Sequence, residues 1–173
     1  MKRGILIATL VLGALALGPA AALATDANGN HGSYVFTIRA GTSGLGAPAT
    51  AADGRTVFVK GSGAFEAPNG SASDGGQYTL KNGAEEIVGS GTWTVDSIQN
   101  FVFYGRTASG IVAGEAKFKV HLTGGPLAGA DGTLTQWCVA GGLAPPSKSE
   151  GIALVLGQSG AFTDSGFGPN FFR

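Results

Sequence analysis

Few residues of this chain have the types and spacing that catalysis requires. The two histidines, His31 and His121, are far apart in the sequence, and no Gly-x-Ser-x-Gly motif is present to position a serine nucleophile. Glu85 and Glu86 are the only adjacent acidic pair. Neighbouring residues on a strand point to opposite faces, so this pair does not form a ready carboxylate dyad. No catalytic set is therefore predicted.

Some side chains could still act on a ligand that the fold encloses. Three polar residues in strand-forming segments are candidates for catalysis if they point inward: Glu86, Tyr104 and Gln136. Five aromatic residues are candidates for lining a cavity that binds a small apolar ligand: Trp93, Phe101, Phe103, Phe118 and Trp137. Packing in the core is the alternative for these aromatic residues, since large apolar side chains are usually buried.

The sequence predicts neither a metal site nor a cofactor. Polar residues alternate around residue 28 as in a calcium loop, but His31 and Thr37 stand where the EF-hand pattern needs glycine and glutamate. The single cysteine, Cys138, rules out a disulfide within the chain. Its apolar neighbours favour a buried thiol over a bridge between chains.

Residues 1–24 have the pattern of a secretory signal peptide. A basic start precedes an apolar run over residues 5–17, and Ala22-Leu23-Ala24 has the small residues of a signal-peptidase site. We expect cleavage after Ala24 and a protein that is secreted, periplasmic or held at the cell surface. An uncleaved anchor is the alternative, but the apolar run is shorter than the roughly 20 residues that span a bilayer.

The composition of the remaining chain excludes some partners. Without Lys2 and Arg3, nine basic and eleven acidic residues remain, which is a net charge of about −2. Nucleic acids select clustered positive charge, so they are not expected partners. Glycine is abundant, at 31 of 173 residues, and charged residues are few, at 13%. This composition is typical of tight turns and closely packed backbones.

Short runs that alternate between apolar and polar residues predict an all-β domain over residues 25–173. The clearest run is 115–122, where apolar residues alternate with Glu, Lys and His. Other strands are predicted at 34–39, 55–60, 77–81, 84–95, 101–104, 133–139 and 151–156, with short final segments at 161–163 and 170–172. Loops are predicted at 41–54 and 66–76, and Asn82-Gly83 predicts a two-residue type I′ hairpin turn.

The repeated Gly-Ser-Gly segments indicate how this sheet curves. Gly61-Ser62-Gly63 and Gly89-Ser90-Gly91 each precede a small residue and an aromatic one. Glycines on the core face of a strand mark bends, or places where a large neighbour packs over bare backbone. We therefore expect a single antiparallel barrel of about eight strands, with a β-sandwich as the alternative.

Three segments carry a resemblance to known proteins. At Gly89-Ser90-Gly91-Thr92-Trp93, Gly132-Thr133-Leu134-Thr135 and Glu150-Gly151-Ile152 the chain resembles small exported bacterial β-proteins of uncharacterised function. These motifs are structural and imply no functional residue. More loosely, the strand count and size resemble the eight-stranded calycin and allene oxide cyclase/dirigent-like barrels, which implies a fold and not an activity.

Three hypotheses of function follow. The leading one is a secreted, non-enzymatic barrel that binds a small apolar ligand or serves as an extracellular interaction module. The second is an allene oxide cyclase/dirigent-like enzyme that shapes a small hydrophobic substrate with Glu86, Tyr104 and Gln136. The third is an eight-stranded outer-membrane barrel, which needs apolar residues outside and polar ones inside. Under the first two, the protein meets a membrane only through its signal peptide, and its oligomeric state is open.

Overall fold

The computed structural model describes residues 29–173, which form one curled β-sheet. The predicted signal peptide lies outside the described residues. The strands are β1 (Gly32–Ile38), β2 (Ala47–Ala51), β3 (Thr56–Ala67), β4 (Ala72–Lys81), β5 (Ile87–Arg106), β6 (Val112–Thr123), β7 (Asp131–Cys138), β8 (Gly151–Leu156), β9 (Gly160–Ser165) and β10 (Asn170–Phe172). Three single-turn 3₁₀ helices span Gly125–Leu127, Ala140–Gly142 and Gly157–Ser159.

We call the place of one strand in the ring of the barrel a wall position. Two of the wall positions are each built from two short strands. Strand β1 pairs with the second half of β3, and β2 pairs with its first half, so β1 and β2 together form one wall position interrupted at residues 39–46. In the same way β9 pairs with β2, and β10 pairs with β1. Strands β9 and β10 therefore form a second interrupted position, with its break at residues 166–169.

Counted this way, the wall has eight positions, and each is antiparallel to its neighbours. They follow one another in chain order through β3, β4, β5, β6, β7 and β8, and the first and last positions pair to close the ring. The predicted single antiparallel barrel of about eight strands is confirmed, and the sandwich alternative is wrong. Closure removes the exposed sheet edges that an open sheet would present.

The alternation along the strands separates an apolar interior from a polar exterior. In β6, Phe118 and Val120 are fully buried inside, while Lys117 and Lys119 lie outside. The predicted alternation of this strand is thus confirmed. The same parity holds along β7, where Leu134, Gln136 and Cys138 point inward and the residues between them point outward.

Aromatic side chains fill much of the interior. Six of them pack at ring-centroid distances between 4.7 and 6.0 Å: Tyr34, Phe36, Phe65, Phe101, Phe118 and Phe172. Each side chain of this size contributes about 1.5–3 kcal/mol to stability when it leaves water. The interior is therefore a packed core.

Glycine lets these rings approach the wall. A Cβ atom on Gly61 would lie 2.7 Å from the ring of Trp93, and one on Gly63 would lie 2.6 Å from the ring of Phe36. On β5, a Cβ atom on Gly91 would lie 2.6 Å from the ring of Tyr78. Large neighbours thus pack over bare backbone at the Gly-Ser-Gly segments, which is one of the alternatives that glycines on a core face leave open.

Three predictions of strands and loops need correction. Most of the predicted loop 66–76 is strand, since β3 continues to Ala67 and β4 begins at Ala72. Strand β2 lies inside the segment 41–54, which is predicted as a loop. The prediction misses this strand because its Ala-Pro-Ala-Thr-Ala sequence lacks the large residues that identify a strand. Its alanines are nevertheless buried against the core. The predicted strands 84–95 and 101–104 belong to one continuous strand, β5. The polar residues between them lie at register shifts, where bulges let the strand continue.

The β4–β5 hairpin is confirmed, but its turn type differs from the prediction. The N–H of Glu85 donates to the carbonyl of Asn82 at 3.1 Å, and the N–H of Glu86 donates to the side-chain oxygen of Asn82 at 3.0 Å. Glu85 has a φ of 64°, so the left-handed residue comes third in a three-residue loop. The side chain of Asn82 therefore stabilises a longer turn than its Asn-Gly pair predicts.

Candidate functional site

A polar groove on the outside of the barrel is the best candidate for a site. It has a volume of about 360 Å³ and is lined by Trp137 of β7, residues 147–149 of the connection to β8, and residues 163–165 of β9. Ligand sites commonly have volumes of about 300–1,000 Å³. We call this depression the outer groove.

Strand register places Trp137 beside a buried carboxylate. Trp137 is opposite Glu115 in the β6–β7 pairing, and both residues point outward. The indole Nε1–H donates to Oε2 of Glu115 at 2.8 Å. Directly opposed residues of antiparallel strands are close enough for their side chains to interact. The indole is therefore held in one orientation.

A loop brings a lysine onto the same carboxylate. The N–H of Lys148 donates to the carbonyl of Pro145 at 2.9 Å, which closes a turn after the Pro145-Pro146 pair. The Nζ of Lys148 then reaches Oε2 of Glu115 at 2.7 Å and lies 5.8 Å from the ring centroid of Trp137. This lysine forms both an ion pair and a cation–π contact.

Glu150 fixes the far end of this loop. Its carboxylate accepts hydrogen bonds from the backbone N–H of Val139, at 3.2 Å, and of Asn170, at 2.7 Å. The loop is therefore attached to the end of β7 and to the start of β10. This attachment limits how far Lys148 can move from Trp137.

Glu115 is the centre of the arrangement, with only 8% of its surface exposed. Tyr104 also donates to its Oε2, at 3.3 Å, and the Nζ of Lys117 lies 3.6 Å from its Oε1. Burial on its own raises the pKa of Glu115, but the hydrogen bonds from Lys148 and Trp137 outweigh burial and lower the pKa below its ordinary value. Glu115 is therefore ionised at neutral pH.

Its two neighbours respond in the complementary direction. The hydrogen bond to Glu115 raises the pKa of Lys148. Burial, and then the charge of Glu115, raise the pKa of Tyr104. Tyr104 is consequently neutral and Lys148 charged at neutral pH. We call these four residues, Tyr104, Glu115, Trp137 and Lys148, the Glu115 cluster.

The rim of the groove opposite Lys148 is also polar. Asp164 of β9 is exposed and has no hydrogen-bond or ion-pair partner among residues 29–173. Ser147, Ser149 and Thr163 add hydroxyl groups to the lining. Trp137 is the one lining side chain with a large apolar surface. The groove thus combines an aromatic surface with donors and acceptors of both charge signs.

The interior of the barrel offers far less room. Its cavity has a volume of about 10 Å³ and is lined by Trp93, Tyr78 and five aliphatic side chains. A single water molecule needs at least about 10–15 Å³ measured in this way. A ligand larger than a water molecule therefore does not fit this cavity without repacking of the core.

The structure does not bring the three catalytic candidates together. Glu86 is exposed in the hairpin turn at the start of β5, where it accepts a hydrogen bond from Asn82. Tyr104 lies near the other end of β5 and points outward to Glu115. Of the three, Gln136 is the one inside the barrel. Its Nε2 donates to the carbonyl of Thr37 at 3.1 Å, and its Oε1 has no partner among the residues that the structure describes.

The five aromatic candidates also lie in different parts of the barrel. Trp93, Phe101 and Phe118 are buried in the packed core, with at most 3% of their surfaces exposed. Phe103 is half-buried, and its backbone N–H donates to Asn30 at 3.1 Å. Trp137 is on the outside, at the groove. These five residues do not line one cavity.

Sequence reasoning missed Glu115, Lys148 and Asp164 as site residues. Glu115 stands in the alternating run of β6, where it is predicted to face solvent with the lysines. Its special surroundings depend on the register that puts Trp137 opposite it. The alternation along β7 does indicate that Trp137 points outward, because Trp137 shares a face with Thr133 and Thr135 rather than with Leu134.

Cys138 is buried, as predicted, with 1% of its surface exposed, and burial raises the pKa of its thiol.

Over the range 29–173 no group of three or more His, Cys, Asp or Glu residues is placed to hold a metal ion. The described part of the chain also contains no helix that is long and apolar enough to cross a membrane. Comparisons with protein-family models, curated proteins and solved structures find no match to this chain.

Proposed function

We propose that this protein is an exported, non-enzymatic binding module that takes its ligand in the outer groove. The observation that carries the proposal is the contrast in volume between the interior cavity and the outer groove. The interior cavity has about 10 Å³, whereas the outer groove has about 360 Å³. Export is supported by the signal-like pattern of residues 1–24.

The Glu115 cluster supports binding because it fixes the shape of the groove before a ligand arrives. The indole of Trp137 is held by Glu115, and the same carboxylate holds Lys148. Side chains that are already ordered lose less conformational freedom on binding, so more of the contact energy appears as affinity.

The same contacts disfavour acid–base chemistry at this position. One oxygen of Glu115 already accepts from Tyr104, Trp137 and Lys148, and its pKa is lowered. A general acid or base works best when its pKa is near the operating pH. Glu115 therefore serves the groove as a fixed anchor for its neighbours.

The other two hypotheses receive less support. A cyclase-type enzyme needs an enclosed substrate with inward polar groups, and of its three candidate residues only Gln136 points inward. An outer-membrane barrel needs an apolar exterior. In this barrel, β6 presents Lys117, Lys119 and His121 to the outside.

The two tryptophans provide a direct test. Trp93 is buried inside, where its Nε1–H donates to the carbonyl of Lys60 at 3.2 Å, whereas Trp137 lines the groove. We would record the two indole N–H resonances of the ¹⁵N-labelled protein during titration with uncharged sugars, organic phosphates, short peptides and fatty acids. A Trp137→Phe variant assigns the two resonances.

The proposal expects at least one class of probe to shift the Trp137 resonance while the Trp93 resonance stays in place. A shift of Trp93 alone would place the ligand in the interior and overturn the proposal. Failure of every probe class to shift Trp137 would also overturn it.

A further inference from the structure

We infer that the ligand of the outer groove is an uncharged sugar, with one face of the sugar lying on the ring of Trp137. This inference rests on the proposed function, because it names the ligand class for the same groove. It is carried by the charge balance of the groove, by the way Trp137 is held, and by the polar character of the remaining lining.

The lining of the groove carries one charge of each sign, the ammonium of Lys148 and the carboxylate of Asp164. The ammonium of Lys148 lies 2.7 Å from Glu115, and Lys117 lies 3.6 Å from the other oxygen of the same carboxylate. Asp164 faces the groove without an ionic partner among the described residues. An anionic ligand would meet the free carboxylate of Asp164, and a cationic one would meet Lys148. A ligand without net charge avoids both penalties.

Hydroxyl groups match the remaining lining well. A hydroxyl donates one hydrogen bond and accepts others, so it can pair with an ammonium, a carboxylate or another hydroxyl. The lining offers all three, in Lys148, in Asp164, and in Ser147, Ser149 and Thr163. An apolar ligand would instead strip water from these groups without replacing their hydrogen bonds, which costs free energy.

Trp137 supplies the apolar part of the match. Its one polar atom, Nε1, is engaged by Glu115, and the ammonium of Lys148 lies 5.8 Å from the ring centroid. The rest of this half-buried ring is the carbon surface that the lining offers to a ligand. A sugar ring has an apolar face of C–H groups and a rim of hydroxyls. An aromatic surface surrounded by a few placed polar groups is the usual composition of a small-molecule site.

The experiment compares uncharged and charged sugars on the same protein. Cellobiose, maltose and N,N′-diacetylchitobiose are the uncharged probes, and digalacturonic acid and glucose 6-phosphate are the anionic ones. Binding is followed by the Trp137 indole N–H and by the backbone amides of residues 163–165, with and without added salt. We expect an uncharged sugar to shift these resonances, with an affinity that salt does not change.

Two variants separate the roles of the ring and the carboxylate. Trp137→Ala, followed through the amides of residues 163–165, is expected to weaken sugar binding at least about tenfold. Asp164→Asn is expected to weaken it by about threefold and to strengthen binding of the anionic probes. Thr94→Ala is the matched control, since Thr94 is exposed on the outside of β5, and it should bind like the parent protein. The Trp93 resonance shows in each case that the barrel is folded.

The outcomes distinguish this inference from the proposed function. If anionic probes, peptides or fatty acids shift Trp137 and uncharged sugars do not, the sugar inference is overturned and the binding module stands. If no probe of any class shifts Trp137, both are overturned. Sugar binding that survives Trp137→Ala would also overturn the inference.

Discussion

Replacing Glu115 with glutamine tests the central claim about the outer groove, that one carboxylate organises it. The substitution keeps the size of the side chain and removes its charge, so the bonds from Trp137 and Lys148 lose their charge-assisted character. Breaking a fully buried pair costs about 3–5 kcal/mol. Lys148 is exposed and regains water, so we expect a smaller loss of about 1.5–2 kcal/mol, at the lower end of the range for hydrogen bonds to charged groups.

The pH dependence of this loss has a definite sign. The pKa of Glu115 is lower in the folded protein than the value of about 4.3 for an unfolded chain. Its contribution to stability is therefore fully present above that unfolded value and is lost as the pH falls through the folded-state pKa. The stability difference between the parent protein and Glu115→Gln should be largest at neutral pH and should shrink below about pH 4.

Urea unfolding at several pH values measures both quantities. At neutral pH the melting temperature should also fall by roughly 3–8 °C, as about 1.5–2 kcal/mol predicts for a domain of this size. Asp164→Asn is the matched control, because Asp164 is exposed and unpaired within the described chain, and it should change stability by less than about 0.5 kcal/mol. A Glu115→Gln protein as stable as the parent at pH 7, or a difference that stays constant down to pH 3, would refute the reasoning.

Three further predictions concern the wall, the core and the processing of the chain. Gly61→Ala should destabilise the protein by more than about 2 kcal/mol in urea unfolding, because its Cβ would lie 2.3 Å from the carbonyl oxygen of Gly75, which the sheet holds in place. An unchanged midpoint would contradict the close packing described for β3 and β4. The thiol of Cys138 should react with a thiol reagent in denaturant and stay unreactive in the native protein, because it is buried and its pKa is raised. Rapid labelling of the native protein would contradict its burial. Protein recovered outside the cytoplasm should begin at Thr25 by N-terminal sequencing, and an intact start at Met1 would favour the uncleaved anchor instead.

Much of the fold is predictable from the sequence because the strands alternate cleanly. The run 115–122 shows which face of β6 is buried, and the apolar segment 151–156 coincides with β8. Strand β2 escapes prediction because its short alanine side chains give little hydrophobic signal. The continuity of β5 escapes because bulges turn polar residues outward without ending the strand.

The candidate site is much less predictable than the fold. Trp137 and Tyr104 are recognisable as residues of interest, but as candidates for the interior. The partners that they meet depend on the register of β5, β6 and β7, which the alternation within each strand does not determine. Lys148 lies in a Gly- and Pro-rich connection, where no periodic pattern says what it approaches. The site arises from long-range pairing, and short-range patterns therefore do not reveal it.

The seam between the first and last wall positions has a consequence for how the chain is made. Residues 36–38 pair with residues 170–172, so the ring cannot close until the ribosome has synthesised nearly all of the chain that forms the wall. Pairing between residues this far apart makes folding slow compared with folds built from local contacts. Under the export proposed above, this late closure would leave the chain able to cross a membrane before the barrel forms.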